Sequence, residues 1–112
     1  MATTLARVAD MMAVPASTAL ISQAVSMQGA NAVIVSFLVT TMGGSSALTP
    51  SLEGSNDLTN WSSIATYSNL LAAGYSVSSS SSGIAFQYVR LKLSNAAGGT
   101  VILTADVSTA SL

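Results

Sequence analysis

From Ala16 onward the chain alternates between short apolar segments and clusters of Gly, Ser and Asn. The segments are rich in Val, Ile, Thr and aromatic residues, and interruptions roughly every 8–12 residues are typical of β-sandwiches and barrels. We predict seven strands: Ala19–Met27, Ala32–Thr41, Leu48–Gly54, Trp61–Tyr67, Tyr75–Ser79, Ile84–Ser94 and Thr100–Ser108. About seven antiparallel strands predict two stacked sheets, that is, an all-β antiparallel β-sandwich with jelly-roll-like connections.

The first 15 residues follow a different pattern. Leu5, Val8 and Met12 recur at the spacing of one helix face, and Pro15 closes the segment. We therefore predict an N-terminal arm or short helix over 1–15, followed by a β-sandwich domain over 16–112. The segment is either a frayed tail or an arm that orders against a neighbouring subunit, and on the second interpretation Leu5, Val8 and Met12 are candidate assembly contacts.

Two predicted strands have faces that suggest contact with a partner. In Ala32–Thr41 both sides are largely apolar, which predicts a strand with little water on either side. In Ile84–Ser94 one side carries Phe86 and Tyr88 beside two basic residues, and we interpret it as a wet or partner-facing surface. Phe86 and Tyr88 therefore join the candidate assembly contacts as aromatic anchors.

Charge is scarce in this chain. Lys and Arg number 3 and Asp and Glu number 4, so 6% of the 112 residues are charged, against about 25% in an ordinary soluble domain. Polarity comes from 31 Ser and Thr residues instead. An unpaired buried ion costs several kcal/mol, whereas a hydroxyl can form local hydrogen bonds. The composition therefore predicts a protein that works packed against other subunits.

Composition also argues against several function classes. The chain has no Cys and no His, so the usual zinc sites and a Ser-His-Asp triad cannot be assembled. Three basic residues cannot supply the footprint of a nucleic-acid binder, and no apolar run approaches the roughly 20 residues of a membrane span. We expect no enzyme activity, no cofactor, no metal site, and neither a nucleic acid nor a membrane as partner.

A few residues could still support chemistry or ligand binding. Glu53 and Asp57 are acids close in sequence, as a hydrolase would need, but the turn-forming residues around Asp57 favour a structural turn. Trp61, Tyr67 and Tyr88 could stack on sugar rings, so a carbohydrate-binding module remains an alternative.

The string LEGSNDLTNWSSI at Leu52–Ile64, followed by FQYVRL at Phe86–Leu91, carries a resemblance. It resembles a pattern of discoidin-like β-sandwiches and of small β-sandwich structural proteins of tailed bacteriophages, the head decoration or cement proteins. In this pattern the turn directs Trp61 inward as a core residue, and Arg90 holds the carboxylate of Asp57 or nearby carbonyls. Discoidin-like modules are usually longer and disulfide-linked, and this chain has no Cys.

The resemblance to the phage proteins implies a virion component. We therefore expect a non-enzymatic structural protein of a repeating assembly, a capsid decoration protein that self-associates and contacts the major capsid protein or another lattice subunit. Its expected location is the capsid surface of the virion. The alternative is a carbohydrate-binding β-sandwich that is secreted or lies on a cell surface, with a glycan as its partner. A hydrolase that uses Glu53 and Asp57 is the third interpretation.

Overall fold

In a computed structural model of the chain, residues 3–44, 47–78, 80–95 and 98–111 are described, and over these residues the fold is all-β. The strands are β1 (Thr3–Val14), β2 (Thr18–Ile21), β3 (Val25–Ser26), β4 (Ala32–Thr41), β5 (Leu48–Ser55), β6 (Ser62–Thr66), β7 (Gly74–Val77), β8 (Tyr88–Asn95) and β9 (Val101–Ala110). The predicted fold class is confirmed, with nine strands instead of about seven, and the predicted strand Ala32–Thr41 coincides with β4. Ser79, at the end of one predicted strand, lies outside the described residues.

The strands form two antiparallel sheets. Sheet A has the order β1-β9-β4-β7, and sheet B has the order β2-β8-β5-β6 with the short β3 also paired to β8. The pairs β1–β9, β2–β8, β4–β7 and β5–β6 are nested in sequence and lie alternately in sheet A and sheet B. A long hairpin wound into two sheets in this way is a jelly roll, so the predicted connections are confirmed as well.

The core lies between the two sheets because side chains alternate along each strand. In β8 and β9 every second residue is buried, and the residues between them face outward. Phe37 of β4 is the largest fully buried side chain. The other large side chains with almost no exposure include Leu48, Leu52, Val89, Leu91, Leu93, Val101 and Leu103. Continuous apolar packing between sheets A and B thus fixes which side of each strand faces out.

The N-terminal segment is a strand, which corrects the short helix predicted over 1–15. Residues 3–14 form the 12-residue β1 at the edge of sheet A, paired with β9. Register shifts between Arg7 and Ala9 and between Ala9 and Met12 insert extra residues into β1. Such bulges break the two-residue alternation of a strand. Apolar residues therefore recur at intervals of three and four, which imitates one face of a helix. Residues 1 and 2 of the predicted arm lie outside the described residues.

The predicted strand Ala19–Met27 is divided into β2 and β3, with Ser22 at the break. The Ser22 N–H donates to the Leu91 carbonyl oxygen at 2.8 Å, and the Ser22 hydroxyl accepts from the Leu91 N–H at 2.9 Å. The hydroxyl in turn donates to the Gln23 carbonyl oxygen at 3.0 Å. A side chain thus supplies the acceptor that a regular ladder would take from the backbone.

Ser22→Ala should lower the free energy of unfolding by about 1–3 kcal/mol, because the Leu91 N–H would be buried without its acceptor. Ser26→Ala removes an exposed hydroxyl from the neighbouring β3 and should change that free energy by less than about 0.5 kcal/mol. Urea denaturation of both variants measures the difference. Equal stability of the two variants would contradict the bridging role of Ser22.

Candidate interaction surface

The outer surface of sheet A exposes large hydrophobic side chains on three of its four strands. β4 buries alternate residues in the core and turns Ile34 and Leu38 outward, 40% and 49% exposed. β7 places Tyr75 and Val77 beside this row, because Tyr75 pairs with Leu38. β1 contributes two more on the other side of β9. We call these six residues the apolar face: Leu5, Met11, Ile34, Leu38, Tyr75 and Val77.

Met11 reaches the apolar face through a backbone distortion. Its φ is 50°, a left-handed value that is uncommon for a residue other than Gly, and it lies at the second register shift of β1. The Met11 N–H donates to the Thr104 hydroxyl oxygen at 3.1 Å, and the Thr40 hydroxyl contacts the Met11 sulfur at 3.5 Å. The bulge therefore lays Met11 across β9 toward β4.

The apolar face collects most of the exposed large hydrophobic side chains. Six of the nine such residues in the described part of the chain belong to it. The whole outer surface of sheet A, with strands at about 4.8 Å spacing and about ten residues at about 3.3 Å each, covers roughly 600 Å², and the apolar face is part of it. Apolar patches of a few hundred Å² are often functional surfaces.

An ion pair crosses the same surface. Arg7 Nε donates to Asp106 Oδ1 at 2.8 Å and Arg7 Nη2 donates to Asp106 Oδ2 at 3.3 Å, from paired positions of β1 and β9. The hydrogen bond to Asp106 raises the pKa of Arg7, so the charged form is favoured. Because each charge already has its partner, covering this surface would not isolate an ion.

A depression of about 150 Å³ interrupts the apolar face at one end of β4 and β9. It lies where Ile34 pairs with Ser108 and Ala32 pairs with Ala110. Ser80 completes this end of the wall, and the exposed wall is apolar. The depression exists because the short side chains of Ala32, Ser108 and Ala110 surround the larger Ile34. It offers room for a single side chain from a partner.

The outer surface of sheet B also carries charged residues, but its described strands expose a single large hydrophobic side chain, Ile21. Glu53 and Arg90 are paired on β5 and β8, and Arg90 Nε donates to Glu53 Oε1 at 2.8 Å. The Arg90 guanidinium carbon lies 4.0 Å from the centroid of the Trp61 ring. Arg90 thus contacts Glu53 rather than Asp57, and Trp61 is half-buried beside Arg90 rather than a core residue. Strand alternation explains both corrections, since Arg90 faces outward next to Glu53.

Asp57 organises the turn between β5 and β6. Its Oδ1 accepts the Asn60 N–H at 2.8 Å, the Thr59 N–H at 2.9 Å and the Ser55 hydroxyl at 3.0 Å. Its Oδ2 accepts from Asn60 Nδ2 at 2.7 Å. These bonds, with the Asn60 backbone foremost, hold the pKa of Asp57 well below its usual range. The carboxylate is fully engaged in a structural turn.

The five candidate assembly contacts lie in different parts of the structure and differ in their exposure to solvent. Leu5 lies on the apolar face, 67% exposed. Val8 is a core residue at 6% exposure and Met12 packs against the core, so a partner could not contact Val8. Phe86 precedes β8 and packs against Gly54. The packing is so close that a Cβ added at Gly54 would lie 2.6 Å from Phe86 Cγ. Tyr88 is half-buried on the outer side of β8.

Three members of the apolar face carry no local signal in the sequence. Tyr75 and Val77 lie on a short edge strand whose partner could not be known, and Met11 lies in a bulge. The doubly apolar pattern of Ala32–Thr41 was the useful signal, because it marked Ile34 and Leu38. In this single chain those two outward side chains are exposed to solvent.

The aromatic residues do not form one platform. Tyr67 is buried and packs edge to face on Phe37, with ring centroids 6.5 Å apart. Burial raises the pKa of the Tyr67 phenol. Trp61 lies at Arg90, away from the core. A cleft of about 250 Å³ instead lies next to Tyr67, between β7 and residues 67–70.

Glu53 and Asp57 are not brought together as a catalytic pair, since Glu53 bonds Arg90 and Asp57 bonds its own turn. Among the residues that the structure describes, no group of three Asp or Glu side chains could hold a metal ion. The described ranges also contain no helix long and apolar enough to cross a membrane.

The fold and this surface define a jelly-roll β-sandwich with one apolar sheet face. The sequence matches no model of a known protein family, and no curated protein matches it. Solved structures do match. The PBSX exported protein XepA superposes with a TM-score of 0.75 at 14% identity, over 97% of this chain and 37% of XepA. This chain therefore spans less than half the length of XepA.

Two further structures share the fold. The SPBc2 prophage-derived protein YomS gives a TM-score of 0.60 at 8% identity, over 96% of this chain and 93% of YomS. The structure of infectious bursal disease virus, Gx strain, gives 0.57 at 8% identity, over 96% of this chain and 31% of the viral chain. This β-sandwich is thus a fold found in phage-derived and viral proteins. The discoidin-like part of the resemblance stays a prediction.

Asp57→Asn should destabilise the protein at pH 7 and have less effect in acid. The folded pKa of Asp57 lies below its unfolded value of about 3.9, so the carboxylate stabilises the fold above that value. This stabilisation is lost as the pH falls through the folded pKa. Urea denaturation from pH 7 to pH 2 should show the stability difference from wild type shrinking below about pH 4.

Asp10→Asn controls for the loss of one exposed negative charge elsewhere on the surface. A difference between wild type and Asp57→Asn that is the same at pH 7 and pH 2 would contradict the role of the ionised carboxylate.

Proposed function

We propose that this protein is a non-enzymatic structural subunit of a bacteriophage particle, and that it docks on a neighbouring subunit through the apolar face of sheet A. The observation that carries the proposal is the row of exposed large side chains on the outer surface of that sheet. The fold shared with phage-derived proteins supports the same interpretation. The proposed location is the virion surface, where the major capsid protein or another lattice subunit provides the neighbour.

The energetics fit a contact that depends on apolar burial. Each large side chain of the apolar face contributes at most about 1.5–3 kcal/mol when a partner covers it, and the six together act against a cost of association of about 4–15 kcal/mol. A repeated contact of this kind in a lattice adds avidity. Because Arg7 and Asp106 neutralise each other on this surface, the contact should depend little on salt.

Sheet B would then face away from the docked neighbour. Its outer surface carries Glu53, Arg90 and Lys92, whose charges suit contact with water. Both outer surfaces carry charged residues, but among the described residues the strands of sheet A expose six large hydrophobic side chains, whereas those of sheet B expose Ile21. This difference supports one defined orientation of the subunit in the assembly.

Leu38→Lys should weaken binding to the particle at least tenfold, because the new charge would be desolvated in the contact. Ile21→Lys is the matched control, since Ile21 is 48% exposed on β2 of sheet B and Leu38 is 49% exposed on β4. Co-sedimentation with the purified phage particle that carries the chain measures both. Wild-type binding should change less than about twofold between 0.1 and 1 M salt.

Two outcomes would contradict this proposal. One is a wild-type chain that stays monomeric and never co-sediments with its particle. The other is an equal loss of binding in the Leu38 and Ile21 variants, which would remove the apolar face as the docking surface.

Carbohydrate binding is a second candidate function, and the cleft beside Tyr67 is the observation that favours it. Ser68, Asn69 and Ser76 contribute hydroxyl and amide groups to its wall. No charged residue lines the described cleft, so a neutral sugar would fit better than an ionic ligand.

Filling the cleft tests this function. Ser76→Phe should abolish any signal on a glycan array, whereas Trp61→Ala, on the far sheet, should leave it unchanged. Absence of wild-type binding above background, or binding that survives Ser76→Phe in a folded protein, would dismiss the candidate.

A further inference from the structure

We infer that the neighbour on the apolar face is a second copy of this chain, in a face-to-face dimer where Tyr75 of each copy enters the depression at Ile34 of the other. The inference rests on the proposed function, because it names the partner of the same surface. Its observations are one exposed aromatic side chain and one apolar depression on one flat sheet face.

The positions of Tyr75 and the depression suit a symmetric contact. Tyr75 is 68% exposed and pairs with Leu38, whereas the depression lies at Ile34 on the same strand. Four residues along β4 separate these points by about 13 Å. A two-fold axis in the plane of the interface, halfway between them, exchanges the two positions. Each copy would then contribute one tyrosine and one depression, as an isologous dimer requires.

The chemistry of the two parts also matches. A depression of about 150 Å³ accepts one aromatic side chain and offers it an apolar wall. Tyrosine is among the residues that dominate binding energy when they fill such a site. Because the exposed wall is apolar, the depression would bury the tyrosine ring, and the phenol oxygen would take its hydrogen bond from water or from a group outside the depression.

Area and charge favour a second copy as the occupant. Two faces of roughly 600 Å² each bury about 1,200 Å² in total, the lower limit of a standard specific interface. Like faces often repel through their charges, but Arg7 and Asp106 are paired within each copy. Two identical faces can therefore meet without separating Arg7 or Asp106 from its partner.

Pairing through either edge of sheet A is less favourable than pairing through its face. At the β1 edge, two register shifts interrupt the row of backbone groups that a second strand would need. Gln23 Nε2 also donates to the Arg7 carbonyl oxygen at 3.3 Å, which occupies part of that edge. At the other edge, β7 has only four residues, so it offers a short row of backbone groups.

Sedimentation velocity of the full chain tests the inference with three variants. Wild type should dimerise in the micromolar range, and Tyr75→Ser should raise the dimer dissociation constant at least tenfold. Leu71→Ser is the matched control, because Leu71 is 67% exposed in a loop and Tyr75 is 68% exposed. The control should stay within about twofold of wild type.

Ser108→Leu distinguishes insertion of Tyr75 into the depression from nonspecific hydrophobic association. The variant adds apolar surface to the face but fills the depression that Tyr75 would enter. The inference expects at least a tenfold rise in the dissociation constant, with a circular dichroism spectrum like that of wild type. Tighter or unchanged dimerisation would overturn it. A benzoylphenylalanine placed at position 75 should cross-link to residues 32–34 or 108–110 of the other copy, and a cross-link elsewhere would also overturn it.

The outcomes distinguish this inference from the proposed function. A monomer that still co-sediments with the particle overturns the dimer and leaves the docking proposal intact. A monomer that never co-sediments overturns both. A dimer that is insensitive to Tyr75→Ser overturns the tyrosine contact assigned here.

Discussion

The pairing of β9 with both β1 and β4 is the constraint on which the surface of sheet A depends. β9 lies between these strands, so its register decides which residues of each face the core and which face outward. The buried side of β4 is fixed by packing at Val35 and Phe37, which are at most 2% exposed. Once that side is fixed, Ile34 and Leu38 must point away from it. The apolar face is therefore a direct consequence of core packing on a strand that is apolar on both sides.

The bulges of β1 and the short β7 extend this surface beyond one strand. Without the left-handed backbone at Met11, that side chain would not lie over Thr104 and reach Thr40. Tyr75 and Val77 lie on the outer surface because they pair with the outward-facing Leu38 and Ser36 of β4. Distortions at the two edges of sheet A thus complete the face that β4 begins, and they leave a depression where side chains are short.

Local patterns in the sequence predicted the sandwich and the strand at Ala32–Thr41, because alternation is a property of consecutive residues. They failed at β1, where bulges gave apolar residues a helical spacing. The two outer surfaces depend on strand pairs between residues that are distant in sequence. Glu53 pairs with Arg90 in sheet B, and Ile34 pairs with Ser108 in sheet A. No local pattern in the sequence shows which residues of distant strands pair. The sequence therefore predicted a contact between Arg90 and Asp57, whereas Arg90 contacts Glu53 in the structure. The doubly apolar strand was expected to have little water on either side, whereas its outward residues Ile34 and Leu38 are exposed in the single chain.

The low content of charged residues in this chain can be related to the outer surface of sheet A. A sheet face can lose its water only if no ion is left unpaired and its polar groups find bonds nearby. On sheet A, Arg7 and Asp106 satisfy each other, and hydroxyls such as Ser36 and Ser108 stand between the large side chains. Lysine or glutamate in those positions would have to be stripped of water or would keep the partner away. A hydroxyl-rich composition of this kind is thus compatible with the docking proposed for the apolar face, because it leaves few ions to be desolvated.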